Sequence, residues 1–133
     1  MIRLLTIIGA RPQIIKAAAI SRAINNHFQG QIEESILHTG QHYDTNMSSV
    51  FFDELGIPQP NYNLHVGSGS HGTQTARIIE GVEKVLEEAK ANHTPFDGVV
   101  VYGDTNSTLA AAIAATKIHV PVFHIEAGLR SFN

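Results

Sequence analysis

The chain has 133 residues, the size of one ordinary domain, and at that length folding buries about two thirds of the unfolded surface. Its 43% hydrophobic and 16% charged residues indicate a globular protein rather than a disordered or fibrous one. The net charge of -3 supplies neither a basic surface for nucleic acid nor a cationic helix for a membrane surface, so neither is expected as a partner.

The chain contains no cysteine, which excludes disulfides and thiolate metal sites within it and favours a cytoplasmic location. The first apolar run, residues 2–8, is only about seven residues long and is too short to span a bilayer. We interpret it as a β-strand.

Short apolar runs alternate along the chain with longer segments of helical period, which is typical of βα units around a parallel sheet. The pattern therefore predicts an α/β fold. The predicted strands, in chain order, are residues 2–8, 31–39, a short one within 61–66, 96–102 and 120–125. The predicted helices are residues 12–26, opened by Pro12, then 47–55, 73–92 and 107–116.

The segments 96–102 and 120–125 are predicted to be buried parallel strands by their composition. After the second of them the chain ends with EAGLRSFN. A doubly wound sheet normally continues with a covering helix at such a point, so we expect residues 1–133 to be one domain cut off mid-unit, with a second domain missing.

Ligands of open parallel sheets bind beyond the carboxyl ends of the strands, so the residues that follow the strands are candidate site residues. They are polar or glycine: Gly9 and Arg11, then Gly40, Gln41, His42 and Asp44, then Gly103, Asp104 and Thr105, and finally, where the fifth strand ends, His124, Glu126, Gly128 and Arg130.

Each charged candidate has an alternative, structural interpretation. Asp104 or Thr105 could cap the helix that follows, and Glu126 could be a solvated loop charge. Arg11 and Lys16 could be surface cations. An arginine beside a helix N-terminus is, however, suited to an anion, since backbone donors and a guanidinium then point at the same place. A phosphate group is the natural ligand for it.

Two further patterns are discounted. GSGSHG, residues 67–72, fits the spacing G-x-G-x-x-G, but the preceding segment NYNLHV is polar and no acidic residue ends a following strand. It is predicted to be a glycine loop that leads into a helix. His38 and His42 have the spacing of a helical ligand pair but flank Gly40 at a strand end, so no metal site is expected.

Four motifs together resemble the non-hydrolysing UDP-N-acetylglucosamine 2-epimerases: GARPQIIK at 9–16, TGQHYD at 39–44, YGDTNST at 102–108 and HIEAGLRS at 124–131. The match covers the whole chain in order. The resemblance implies a Rossmann-like domain, the N-terminal half of a two-domain fold like that of many glycosyltransferases. It also implies that UDP-GlcNAc and UDP-ManNAc interconvert by elimination and re-addition of UDP, without a cofactor, in polysaccharide biosynthesis.

By the same resemblance, Asp104 and Glu126 correspond to the acidic residues of proton transfer, and Arg11, Lys16, Thr105 and Arg130 to substrate-binding residues. Gln41, His42 and Gln74 correspond to a possible regulatory UDP-GlcNAc contact. The family is commonly dimeric, so a homodimer is expected of the full-length protein. Other catalytic groups and most uridine contacts of the family lie beyond the match, so residues 1–133 alone are expected to be folded but inactive.

Two alternatives remain open at this point. One is half of a two-domain glycosyltransferase, which would transfer sugar and form no epimer. The other is a stand-alone sugar-nucleotide binding module.

Overall fold

Strands and helices alternate in the computed structural model, which describes residues 1–40 and 49–125. In chain order they are β1 Ile2–Ile8, α1 Arg11–His27, β2 Ile32–His38, α2 Ser49–Leu55, β3 Tyr62–Asn63, α3 His71–Ala91, β4 Gly98–Tyr102, α4 Asn106–Lys117 and β5 Val122–Ile125. Each predicted element is present, and apart from the short β3 its boundaries agree within about two residues.

The strands form one sheet in the order β3-β2-β1-β4-β5, and every neighbouring pair is parallel. The chain therefore moves from β1 toward one edge and then returns to the other side of β1 for β4 and β5. Because such crossovers are right-handed, moves in opposite directions place their helices on opposite faces of the sheet. This is the predicted Rossmann-like α/β architecture.

Two apolar cores lie on the two faces of the sheet. One packs β1 and β4 against α3 and α4 and includes Leu5, Ile7, Val99, Val101, Ile78, Val82, Ala110 and Ala114. The other packs the opposite side chains of the same strands against α1 and α2 and includes Ile8, Val100, Tyr102, Ile14, Ala18 and Phe52. Since β4 is buried on both faces, its near-continuous apolar sequence is explained.

The prediction that β5 is buried was wrong. In the described part of the chain only β4 pairs with it, which makes β5 an edge strand. Phe123 is 51% exposed, and its ring packs against Gly98 of β4. An apolar run does not by itself distinguish an edge strand from a central one.

Two residues after the last residue of α3 and of α4, a histidine adopts the left-handed conformation, His93 with φ 63° and His119 with φ 68°. At α4 the amide of Val120 donates to the carbonyl of Ala115 at 2.8 Å, and that of His119 donates to Thr116 at 3.1 Å. These two bonds are the Schellman pattern, in which glycine is the usual residue at the left-handed position.

None of the helices described has the length and apolar character needed to cross a membrane.

Candidate active site

The carboxyl ends of β1 and β4 form the switch point of the sheet, because the connections that leave these adjacent strands run in opposite directions. A crevice at this position is where open α/β sheets bind their ligands. The loop after β1 carries Gly9 and leads into Arg11, the first residue of α1, and the loop after β4 carries Asp104 and Thr105. The structure thus brings these two predicted site segments together.

The turn after β4 presents Asp104 to solvent. Gly103 has φ +71°, a conformation that L side chains rarely adopt, and Asp104 follows it with an exposed side chain. Thr105, not Asp104, is the N-cap of α4, since its Oγ1 accepts from the amide of Thr108 at 3.4 Å. The capping alternative therefore applies to Thr105, and the carboxylate of Asp104 projects from the turn that this cap ends.

The same turn is held from β5 by His124. Its ring Nε2 lies 2.5 Å from the carbonyl oxygen of Gly103 and donates to it, which fixes the proton on that nitrogen. His124 lies within β5, one residue before its end, in agreement with the predicted strand 120–125.

The turn after β1 is held from within by Gln13, which is not among the predicted site residues. Its side-chain oxygen accepts from the amides of Gly9 at 2.7 Å and Ala10 at 2.9 Å. Its side-chain nitrogen donates across the crevice to the carbonyl of Tyr102 and the hydroxyl of Thr105, both at 2.8 Å. The two loops of the switch point are therefore joined through one buried amide.

These bonds change the predicted anion site at the start of α1. The amides of Gly9 and Ala10 already donate to Gln13, and Pro12 has no N–H to offer. The prediction that several backbone donors point with Arg11 at one anion is therefore wrong for these positions. The exposed side chain of Arg11 lies at the first position of α1, and exposed Lys16 lies five residues along the same helix.

Gln74 lies beside this region, and its side chain is buried at the start of α3. Its nitrogen donates to the carbonyl of Gly67 at 2.8 Å, and its oxygen accepts from the Asn106 side chain at 2.9 Å. The same Asn106 nitrogen lies 2.9 Å from the ring nitrogen Nδ1 of His71. Gln74 is thus tied to the first residue of α4, next to Thr105.

The glycine-rich segment has the predicted role of a loop that leads into a helix. Ser70 is the N-cap of α3, and its hydroxyl accepts from the amide of Thr73 at 3.2 Å. The last two residues of the motif, His71 and Gly72, are already helical.

His38 is buried at the end of β2, where its Nδ1 accepts from the amide of Gly40 at 2.9 Å. Burial lowers the pKa of His38, and the nearby His65 lowers it further.

Within residues 1–40 and 49–125, no group of three or more His, Asp or Glu side chains is placed to hold a metal ion.

Four of the predicted site residues lie outside the described residues: Glu126, Arg130, Gln41 and His42. Among the others, Arg11, Asp104 and Thr105 lie at the switch point, and Gln74 adjoins it through Asn106.

The chain is similar to proteins of a known family. Residues 23–133 match the family model described as UDP-N-acetylglucosamine 2-epimerase. The chain belongs to this family. The resemblance drawn from the four motifs is confirmed.

Curated relatives are similar over nearly the whole chain. A UDP-2,3-diacetamido-2,3-dideoxy-D-glucuronate 2-epimerase of Pseudomonas aeruginosa is 55% identical over 98% of this chain and 35% of its own length. A UDP-N-acetylglucosamine 2-epimerase of Methanocaldococcus jannaschii is 48% identical over 98% of this chain and 34% of its own length. The chain thus spans about a third of the length of these epimerase relatives.

Solved epimerase structures share the fold. The crystal structure of the M. jannaschii UDP-GlcNAc 2-epimerase in complex with UDP-GlcNAc and UDP has a TM-score of 0.86, and the match covers 99% of this chain and 34% of that one. The Neisseria meningitidis enzyme bound to UDP-GlcNAc, 34% identical, has a TM-score of 0.82, covering 99% of this chain and 33% of that one. The Rossmann-like fold is therefore confirmed by members of the epimerase family.

Proposed function

We propose that the protein carrying this chain is a UDP-GlcNAc 2-epimerase that interconverts UDP-GlcNAc and UDP-ManNAc. The observation that carries the proposal is the switch point of the sheet, where the exposed carboxylate of Asp104 and the exposed side chain of Arg11, at the start of α1, share one edge of the sheet. Family membership supports the same activity.

The chemistry requires both kinds of group. The C2 hydrogen of the sugar is not next to a carbonyl, so its removal is coupled to the departure of the pyrophosphate group. A base takes the C2 proton, the bond from the anomeric carbon to oxygen breaks, and UDP leaves with the electron pair to give 2-acetamidoglucal. Re-addition of UDP and delivery of a proton to the opposite face of C2 complete the epimerisation, and no net oxidation occurs.

Residues of this chain take the following roles in the proposal. Asp104 and Glu126 transfer the protons, and Arg11, with Lys16, neutralises the pyrophosphate charge. Thr105 and Arg130 contact the substrate. The position of Asp104 between the left-handed Gly103 and the cap Thr105 supports its role, because a short turn anchored at both ends holds a carboxylate in one place.

The remaining parts of the proposal concern the whole protein. We propose a cytoplasmic homodimer that serves polysaccharide biosynthesis, with a regulatory UDP-GlcNAc contact formed by Gln41, His42 and Gln74. The hydrogen bond from Asn106 to Gln74 supports this regulatory contact, because it links Gln74 to the helix that Thr105 caps.

A second candidate substrate is UDP-2,3-diacetamido-2,3-dideoxy-D-glucuronate. It is favoured by the 55% identity to the P. aeruginosa epimerase whose name specifies that sugar. The chemistry at C2 would be the same, but the second acetamido group and the carboxylate would need their own contacts.

The test is to incubate the full-length enzyme separately with the two sugar nucleotides and to follow C2 inversion by proton NMR. A kcat/KM for UDP-GlcNAc that exceeds the value for the diacetamido uronate by at least about tenfold, or 1.4 kcal/mol of transition-state binding, supports the first assignment. The reverse ratio assigns the second substrate. Transfer of sugar to an acceptor, or no inversion of either compound, contradicts the proposed function.

A further inference from the structure

We propose that Gln13 is a positioning residue that sets the spacing between the two loops of the switch point. The proposal rests on the proposed function in one respect only, since it assigns the pyrophosphate-binding Arg11 and the proton-transferring Asp104 to these loops. The geometry of the clamp itself does not depend on the reaction.

Gln13 is only 4% exposed, and its amide makes bonds on both sides of the crevice. Toward β1 its oxygen accepts from Gly9 and Ala10 at 2.7 and 2.9 Å. Toward β4 its nitrogen donates to the Tyr102 carbonyl and the Thr105 hydroxyl, both at 2.8 Å, and approaches the Thr108 hydroxyl at 3.3 Å.

The chemistry of these partners fixes the orientation of the amide. Both groups that face the oxygen are N–H donors, and the carbonyl of Tyr102 can only accept. If the amide were rotated by half a turn, its N–H groups would face the N–H groups of Gly9 and Ala10, and its oxygen would face the carbonyl oxygen of Tyr102. Neither a carboxylate nor an apolar side chain reproduces the arrangement, since the first has no donor and the second has neither function.

Gln13 lies where the two strands no longer pair. The register of β1 with β4 ends at Thr6 and Val100, so the last residues of β4 reach the crevice without that support from β1. The carbonyl of Tyr102 accepts instead from Gln13 and, at 2.7 Å, from the hydroxyl of Thr108. The amide of Gln13 thus continues the connection between the strands as far as the turn that carries Asp104.

This geometry gives Gln13 an indirect role. An amide does not exchange protons in the way a carboxylate or imidazole does, and the side chain is buried beneath the loops rather than exposed at their surface. It acts through the separation of the loops, and a displacement of about 1 Å between reacting groups can cost on the order of a hundredfold in rate.

The test compares three variants of the full-length enzyme that carries this chain. Gln13→Met keeps the length of the side chain and removes its hydrogen bonds. Gln13→Glu keeps the acceptor and regains one donor only when its carboxyl group is protonated. Ser21→Ala is the matched control, because Ser21 is a buried residue of the same helix that donates to Glu34 at 2.6 Å, away from the crevice.

We expect Gln13→Met to lower kcat by at least about tenfold while KM changes by less than about threefold, as misplacement of the reacting groups requires. Gln13→Glu should retain more activity, and its kcat relative to wild type should fall as pH rises and its carboxyl group ionises. Ser21→Ala should lower Tm and leave kcat unchanged. A kcat for Gln13→Met equal to that of the control, or a pH-independent ratio for Gln13→Glu, would overturn the proposal.

Hydrogen exchange provides a readout that does not depend on activity. The amide protons of Gly9 and Ala10 should exchange faster in Gln13→Met than in wild type, and Gln13→Glu should preserve their protection because its oxygens still accept. Unchanged exchange in Gln13→Met contradicts the clamp. An inactive wild-type enzyme with normal protection would instead contradict the proposed function and leave the clamp standing. If Gln13→Met does not fold, the proposal is tested on Gln13→Glu alone, by the pH dependence of its kcat and by the exchange of its Gly9 and Ala10 amides.

Discussion

The hydroxyl oxygens of Thr39 and Ser107 lie 2.8 Å apart and both face Gly9. A β-carbon placed on Gly9 would lie 2.5 Å from the Thr39 oxygen and still closer to the Ser107 oxygen. The ends of β1 and β2 and the start of α4 therefore meet at a point where only hydrogen fits. The packing at the switch point depends on this contact as well as on Gln13.

Replacement of Gly9 by alanine should destabilise the protein by about 1–3 kcal/mol, the usual cost of forcing an extra carbon into a packed site. Urea denaturation measures the effect. Gly72→Ala is the control, because a β-carbon there meets open space at the start of α3 and should cost nothing or stabilise by up to about 1 kcal/mol. Equal stability of the two variants would show that the contact at Gly9 can relax.

His119→Gly should stabilise the protein by about 1 kcal/mol, because a left-handed conformation is costly for a residue with a β-carbon and free of that cost for glycine. His93→Gly should behave in the same way at the end of α3. His119→Ala keeps the β-carbon and should bring no such gain. A rise in Tm for the alanine variant equal to that of the glycine variant would indicate another cause.

Stability should fall on acidification as His38 becomes protonated. Because burial lowers the pKa of His38 in the folded state, the unfolded chain binds more protons below its ordinary pKa of 6.5, and stability is lost as pH decreases from there through the folded pKa. His38→Asn can still accept the bond from Gly40 but does not titrate. Its unfolding free energy should therefore depend less on pH as the pH falls below about 6.5, and identical slopes for the two proteins would contradict this role.

Asp104→Asn in the full-length enzyme should reduce turnover by at least about a hundredfold and leave substrate bound, since shape is kept and only basicity is lost. Asp97→Asn is the matched control at the other end of the sheet, where Asp97 accepts from the amide of Arg3 at 2.8 Å and an asparagine oxygen can do the same. The same loss is expected of Glu126→Gln. Near-normal turnover of Asp104→Asn would reassign Asp104 to solvation.

The elements were predictable because their signals are local. The helical period over residues 73–92 is contained in a few helical turns, and the apolar run at 2–8 in seven residues, so each segment specifies its own structure. The exposure of β5 was not predictable in this way, because it depends on which strands and helices surround it.

The site was predictable only in part for the same reason. The polar residues that follow the strands identified Asp104 and Arg11. Gln13, however, donates to the carbonyl of Tyr102, which is 89 positions away in the sequence, and this contact requires β1 and β4 to be neighbours. Half of a capping box, Gln13 three residues after Ala10, was the one local signal. His93 and His119 had a signal too, since each is followed two residues later by proline.

Deuterium incorporation at C2 tests the elimination mechanism most directly. Elimination exposes the C2 proton to an exchangeable carboxyl group such as that of Asp104, whereas epimerisation by oxidation would require bound NAD. The full-length enzyme is incubated with UDP-GlcNAc in deuterated water without added nicotinamide, and the product is analysed by NMR and mass spectrometry. We expect UDP-ManNAc that carries deuterium at C2, with traces of UDP and 2-acetamidoglucal. Product free of deuterium, or activity that is abolished by stripping NAD and restored by adding it back, would contradict the mechanism and the roles of both carboxylates.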